Sequence, residues 1–224
     1  MTSSDVLPKN EDVRLACAFI DDPVKRADVL VLYAFLETLR EIPERVTEPL
    51  MGEIRLRWWY EAIEEIDQGR PVRYHPLTDA LKRIIATYQL DPKLFLALIE
   101  GQIPLLDKGT LTTEAAMKVA DAGEGHVARL AARIVDTDET ADLTAPARLY
   151  GMACLKAGRG LSDAGEAELN HLRRDARMAM KGLSTKAVAI ALPAALATGL
   201  WLGQPHGPLA KRLKLLKSFL IGGV

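Results

Sequence analysis

The stretch Glu48-Pro49-Leu50-Met51-Gly52-Glu53-Ile54-Arg55-Leu56-Arg57-Trp58-Trp59 decides how the rest of the chain is read. Pro49 suits the first turn of an α-helix, where its missing N–H is no loss. Beyond it, Met51, Ile54, Trp58, Ala62 and Ile66 recur at three- and four-residue steps, which predicts one apolar helical stripe. Glu53, Arg57 and Glu61, each four apart, make a charged neighbouring face. Two readings of that face stand side by side. In one, Trp58 anchors the core beside solvated ion pairs. In the other, Arg55, Arg57 and Trp59 face a groove or a protein partner. Gly69-Arg70-Pro71 ends the helix.

Helical spacing continues in both directions. Upstream, a helix over Glu11–Ile20 precedes Asp22-Pro23, an N-cap followed by Pro at the first helical position. The second helix carries Ala27, Leu30, Val31, Ala34 and Phe35 inward to about Arg40, and Pro43 is expected to stop it. Downstream, helices are expected over Pro76–Tyr88, Lys93–Ile103, Thr112 or Thr113 to Val135, Ala145–Ala157 and Asp163–Met180. An Ala-rich helix after Ser184 and a basic one over Leu209–Leu220 follow. No strand, repeat or interdomain linker is expected, so the fold class is all-α. Residues 1–10 read as a flexible N-terminal tail and residues 11–224 as one helical domain.

Of the chain's 224 residues, 49% are apolar and 26% charged, enough for a buried core and too patterned for disorder. A formal net charge of −1 gives no field favouring nucleic acid. Cys17 and Cys154 lie in apolar surroundings without metal-like spacing, so buried thiols in a reducing, cytoplasmic setting are expected. Ala187–His206 is uncharged but interrupted by Pro193 and Pro205. It reads as a buried core helix rather than a membrane span.

Candidate chemistry starts with carboxylates, because a helical enzyme that ionises a diphosphate clamps Mg²⁺ between acids on facing helices. Glu37, Glu41 and Glu44 on the second helix have about that spacing, with Arg40 among them bringing an opposing charge. Asp163, Glu166, Glu168 and Asp175 lie close to Arg173, Arg174 and Arg177 and look like a solvated face. None of His75, His126, His171 and His206 has a His or Cys at ligand spacing, so no metal ligand is assigned. His75-Pro76 reads as a helix-start turn. Gly123 and Gly125 suit close helix contact. At the C-terminus, Lys211, Arg212, Lys214 and Lys217 alternate with Leu209, Leu213, Leu216, Phe219 and Leu220. Such a helix either packs on the bundle or lies on anionic lipid, peripheral to an inner membrane, and in both cases its Leu stripe should be covered.

The run Leu32-Tyr33-Ala34-Phe35, then Glu48-Pro49-Leu50 and Gly52–Trp59, resembles the squalene/phytoene synthase family. It is most similar to the branch that includes the mitochondrial assembly factor of respiratory NADH dehydrogenase (complex I) and its bacterial relatives. His75-Pro76, Leu98-Ile99-Glu100-Gly101 and the Gly125, Val127, Leu130 pattern extend the likeness over about Glu11–Val135. The resemblance implies an isoprenoid-synthase-like bundle of antiparallel helices around a central cavity, able to hold a lipid or prenyl chain. Catalytic members condense prenyl diphosphates with Mg²⁺. Aligned on Tyr33, the two aspartates of their first acidic motif fall at Arg40 and Glu44, and their usual preceding Arg falls at Glu37. After Tyr150-Gly151-Met152-Ala153, where the second motif belongs, the chain reads Leu155-Lys156-Ala157-Gly158-Arg159-Gly160. The implied protein is a binding or assembly factor without cofactor. The alternative is a Mg²⁺-dependent prenyltransferase using Glu37, Glu41 and Glu44.

Overall fold

The computed structural model describes residues 6–135 and 142–223. Among them the chain is all α, with no sheet and a single isolated parallel bridge between Leu111 and Leu161. The helices are α1 (Glu11–Cys17), α2 (Pro23–Arg45), α3 (Pro49–Asp67), α4 (Pro76–Tyr88), α5 (Pro92–Glu100) and α6 (Thr113–Ala120). They continue as α7 (His126–Val135), α8 (Thr144–Arg159), α9 (Glu166–Met180), α10 (Thr185–Ala191), α11 (Ala197–Trp201) and α12 (Pro208–Ile221). The architecture is that of an isoprenoid-synthase-like helix bundle.

Local chemistry sets most helix starts. The Asp22 carboxylate accepts from the N–H groups of Val24 and Lys25, and Pro23 follows it. Asp91-Pro92 repeats the device at α5. His75 caps α4 through Nδ1, which accepts from the Leu77 N–H at 3.1 Å, while Thr78 Oγ1 accepts from the His75 N–H. Burial lowers the His75 pKa, which suits a ring that must keep Nδ1 free to accept. Of the expected tail, residues 1–5 lie outside the described residues. Lys9 and Asn10 are tied down: their N–H groups donate to the two Glu37 carboxylate oxygens at 2.6 and 3.1 Å.

Four expectations about these elements are corrected. Pro43 does not end α2, which runs on to Arg45. A proline this near a C-terminus forfeits one intrahelical bond, and burial of Ile42, Pro43 and Val46 holds the last turn. The helix expected over Thr113–Val135 is interrupted by a π-helical turn at Asp121–Gly125. The Ala-rich segment is buried but broken into α10, a 3₁₀ turn at Leu192–Leu196 and α11, with Pro193 inside the turn. No helix among the described residues is long and apolar enough to cross a membrane.

The fourth concerns α3. Its buried face is Gly52, Leu56, Trp59, Ala62 and Ile63, so Trp59 is 6% exposed while Met51 and Ile54 point to solvent. Gly52 explains the rotation. A Cβ there would lie 2.1 Å from Leu106 Cδ2, so close approach is possible only on that side. Trp59 packs edge-on to Phe35, Trp58 and His75, with ring centroids 5.4, 4.8 and 5.0 Å away.

The apolar interior forms two clusters. One gathers residues of α1–α5, α7 and α10, including Phe35, Leu39, Ile63, Phe95 and Leu130. The other lies among α6, α8, α9 and α11, with Leu149, Met152, Leu172 and Trp201. Within the bundle Asp28, 1% exposed, is held by Arg83 at 2.5 Å and by the Tyr88 hydroxyl at 2.8 Å. Burial and that bond to Asp28 push the Tyr88 pKa up to about 12.

Candidate functional site

The Arg40 guanidinium and the Glu124 carboxylate meet head-on between α2 and the π turn. Arg40 Nη1 and Nη2 donate to Glu124 Oε1 and Oε2 at 2.5 and 2.7 Å. Glu124 is 4% exposed. The π turn adds a residue to the helical circuit, which swings Glu124 toward α2. Burial works against the Arg40 charge, but Glu124 more than offsets it and the Arg40 pKa is raised. Two glycines make room for the pair. A Cβ on Gly123 would lie 3.1 Å from Arg40 Nη2, and one on Gly151 of α8 would lie 2.5 Å from Glu124 Oε2. Asp121 anchors the same turn to α8, accepting from Arg148 Nε and Nη2 at 2.7 and 2.8 Å.

Recesses open beside this pair. One of about 480 Å³ is lined by Arg40, Pro43, Glu44, Lys108, Cys154 and Arg159. Another of about 240 Å³ is lined by Tyr33, Glu37, Arg40, Glu41, Glu124 and Tyr150. Arg40, Glu44 and Cys154 border both. Their cations are engaged with the protein. Lys108 Nζ donates to the Pro43 carbonyl, and Arg159 donates to the carbonyls of Leu105, Asp107 and Gly109. Cys154 is half-buried at this cleft rather than in the core, and burial pushes its thiol and that of Cys17 up to about 12. Both sulfurs therefore stay protonated and weakly nucleophilic near neutral pH.

The three acids considered for Mg²⁺ reach one rim of the cleft but are not poised as ligands. Glu37 is occupied by the backbone of Lys9 and Asn10. Glu41 pairs with Lys9 and with Arg45. Glu44 is exposed. Across the cleft α8 offers Tyr150, Cys154 and Gly158, none of them a hard anionic ligand. Among the described residues no three His, Cys, Asp or Glu side chains gather as a metal would need. A Mg²⁺ clamp between facing helices does not fit this donor set.

A family model for squalene/phytoene synthase matches residues 9–163. The chain belongs to the squalene/phytoene synthase family. The match reaches past Val135 through α8, so the segment that lacks paired aspartates lies inside the squalene/phytoene synthase region. No curated protein matches the chain.

Squalene/phytoene synthase likeness singled out Arg40 but not its partner. Glu124 lies between Gly123 and Gly125, which the sequence marks only for close helix contact. The signal that could have found it is a carboxylate set between two glycines and beside Ala120, Val127 and Leu130, opposite a lone cation among Leu36, Leu39 and Pro43. Of the partner-face residues, Arg57 borders a separate groove of about 750 Å³ with Leu50, Ile54, Trp58, Tyr60 and Ile103. Arg55 is exposed beside it and Trp59 is not part of it.

The close approach at Gly151 makes a sharp prediction. Gly151→Ala should destabilise the fold by about 1–3 kcal/mol through overpacking against Glu124 and Ala120. Gly158, on the same helix with open space at its Cβ position, is the control. Gly158→Ala should stabilise by roughly 0.5–1 kcal/mol. Urea unfolding of both variants checks the contrast.

Proposed function

We propose that this squalene/phytoene synthase family member is a catalytically degenerate binding or assembly factor. The Arg40–Glu124 pair carries the reading. Where the alignment on Tyr33 puts a metal-binding aspartate of catalytic members, this chain has a guanidinium locked onto a buried carboxylate. Two diphosphates would bring charge that the cleft, with its cations already engaged and no metal clamp, is not built to neutralise.

The partner face on this reading is the α3 groove. Leu50, Ile54 and Ile103 are each about half exposed or more in its lining, Arg57 supplies charge there, and Arg55 is exposed on the same helix. Similarity to the complex I assembly branch supports a partner in the respiratory chain.

Two experiments test this. Titration with farnesyl diphosphate, with and without Mg²⁺, should show neither metal-dependent binding nor released diphosphate. Release dependent on Mg²⁺ would restore the prenyltransferase reading. Deleting the gene should deplete assembled NADH dehydrogenase on native gels, and re-expression with Ile54→Glu and Arg57→Glu should not recover it. Normal assembly in the deletion strain would remove the respiratory-partner part of the proposal.

A further inference from the structure

Helix α12 docks with its apolar stripe facing out, so of the two expected coverings the bundle does not supply one. Leu209, Leu213, Leu216 and Leu220 are 71%, 58%, 45% and 74% exposed. The opposite side is what holds the helix down. Leu215 and Ser218 are buried, and the Phe219 ring packs tilted against Phe19 with centroids 4.9 Å apart. Two of its four cations also face inward. Lys211 pairs with Glu11 at 3.0 Å and with Asp12 at 2.6 Å. Lys214 Nζ lies 2.9 Å from His206 Nε2.

That leaves Arg212 and Lys217, both exposed. At about 100° per residue they fall roughly 70° to either side of the leucine midline, one on each flank. The helix contains no Asp or Glu. An apolar row with a cation on each flank and no anion is the pattern of a helix lying in a bilayer interface. There the leucines enter the acyl boundary and the long basic side chains reach the phosphates. Its 14 residues are too few to span a bilayer but enough to lie along one. A second copy seated on the same stripe would bring Arg212 and Lys217 against their own kind, with no acid on α12 to pair them.

We propose that the outer face of α12 is a seat for an anionic phospholipid bilayer surface. Leu209, Leu213, Leu216 and Leu220 insert, and Arg212 and Lys217 contact lipid phosphate. The outer face of α12 shares no lining residue with the recesses beside the Arg40–Glu124 pair, and the proposal is independent of whether the family reaction is lost.

Sedimentation of the full chain with vesicles tests it. Equimolar phosphatidylcholine–phosphatidylglycerol vesicles should bind about thirtyfold more tightly than phosphatidylcholine alone, as two surface cations would give. Leu213→Glu with Leu216→Glu should abolish binding while leaving the helical circular dichroism unchanged, since both side chains are exposed. Arg212→Glu with Lys217→Glu is the second variant and should erase the preference for anionic vesicles. Absent binding by the unmodified protein would overturn the proposal, as would binding indifferent to the paired leucine changes. So would a dimer dissolved by those changes in a protein that ignores vesicles.

Discussion

Arg40→Leu should be among the most damaging single substitutions in this protein, lowering its stability by about 3–5 kcal/mol. The physical reason is asymmetry. Glu124 has 4% of its surface exposed, so once the guanidinium is gone its carboxylate is left buried without a counter-charge. The double variant Arg40→Leu, Glu124→Leu should recover most of the loss, because a buried ion pair is often no more stabilising than well-packed apolar groups of similar size. Thermal unfolding reads the difference. The single variant should melt roughly 6–20 °C lower, and the double variant should return close to the parent. A single variant as stable as the parent would mean that the pair is solvated and that the cleft has no locked centre. Catalytic degeneracy would then lose its main support.

Trp59→Ala should cost a similar amount, about 3–5 kcal/mol, by opening a cavity among Phe35, Trp58 and His75. Arg57→Ala, two residues earlier and exposed, should fall within about 0.5 kcal/mol of the parent. Chemical denaturation of the two variants side by side separates a core role from a surface role. If Arg57→Ala abolishes partner capture at unchanged stability, the α3 groove is the binding face. If Trp59→Ala also abolishes capture, that loss follows from unfolding and says nothing of contact. A stable, well-folded Trp59→Ala variant would contradict the packing described for α3.

How much of this was legible beforehand differs from element to element. Helix starts were, because each depends on a few neighbouring residues: Asp22-Pro23, His75-Pro76 and Asp91-Pro92 cap where their chemistry says they should. The all-α class and the family likeness were legible for the same reason, being carried by spacing and by short runs such as Gly52–Trp59. The departure of Arg40 from an acidic motif was also visible in the chain alone.

Orientation was not. In α3 the apolar residues cover more than one face, and periodicity cannot rank Trp58 against Trp59. The contact at Gly52 with Leu106, a residue of another segment, decides between them. In α12 the leucine stripe has the spacing of a buried face, yet Leu215, Phe219 and the inward lysines dock the helix the other way. The Arg40–Glu124 pair joins residues 84 positions apart across a π turn, and no local pattern announces either the turn or the pairing. Sequence by itself determined the helical class, the main helix starts and the missing acids, because caps depend on short-range sterics and hydrogen bonding and the acids are a matter of residue identity. Only the tertiary structure decided which faces meet, because a helix with several apolar faces is turned by the shape of what it packs against.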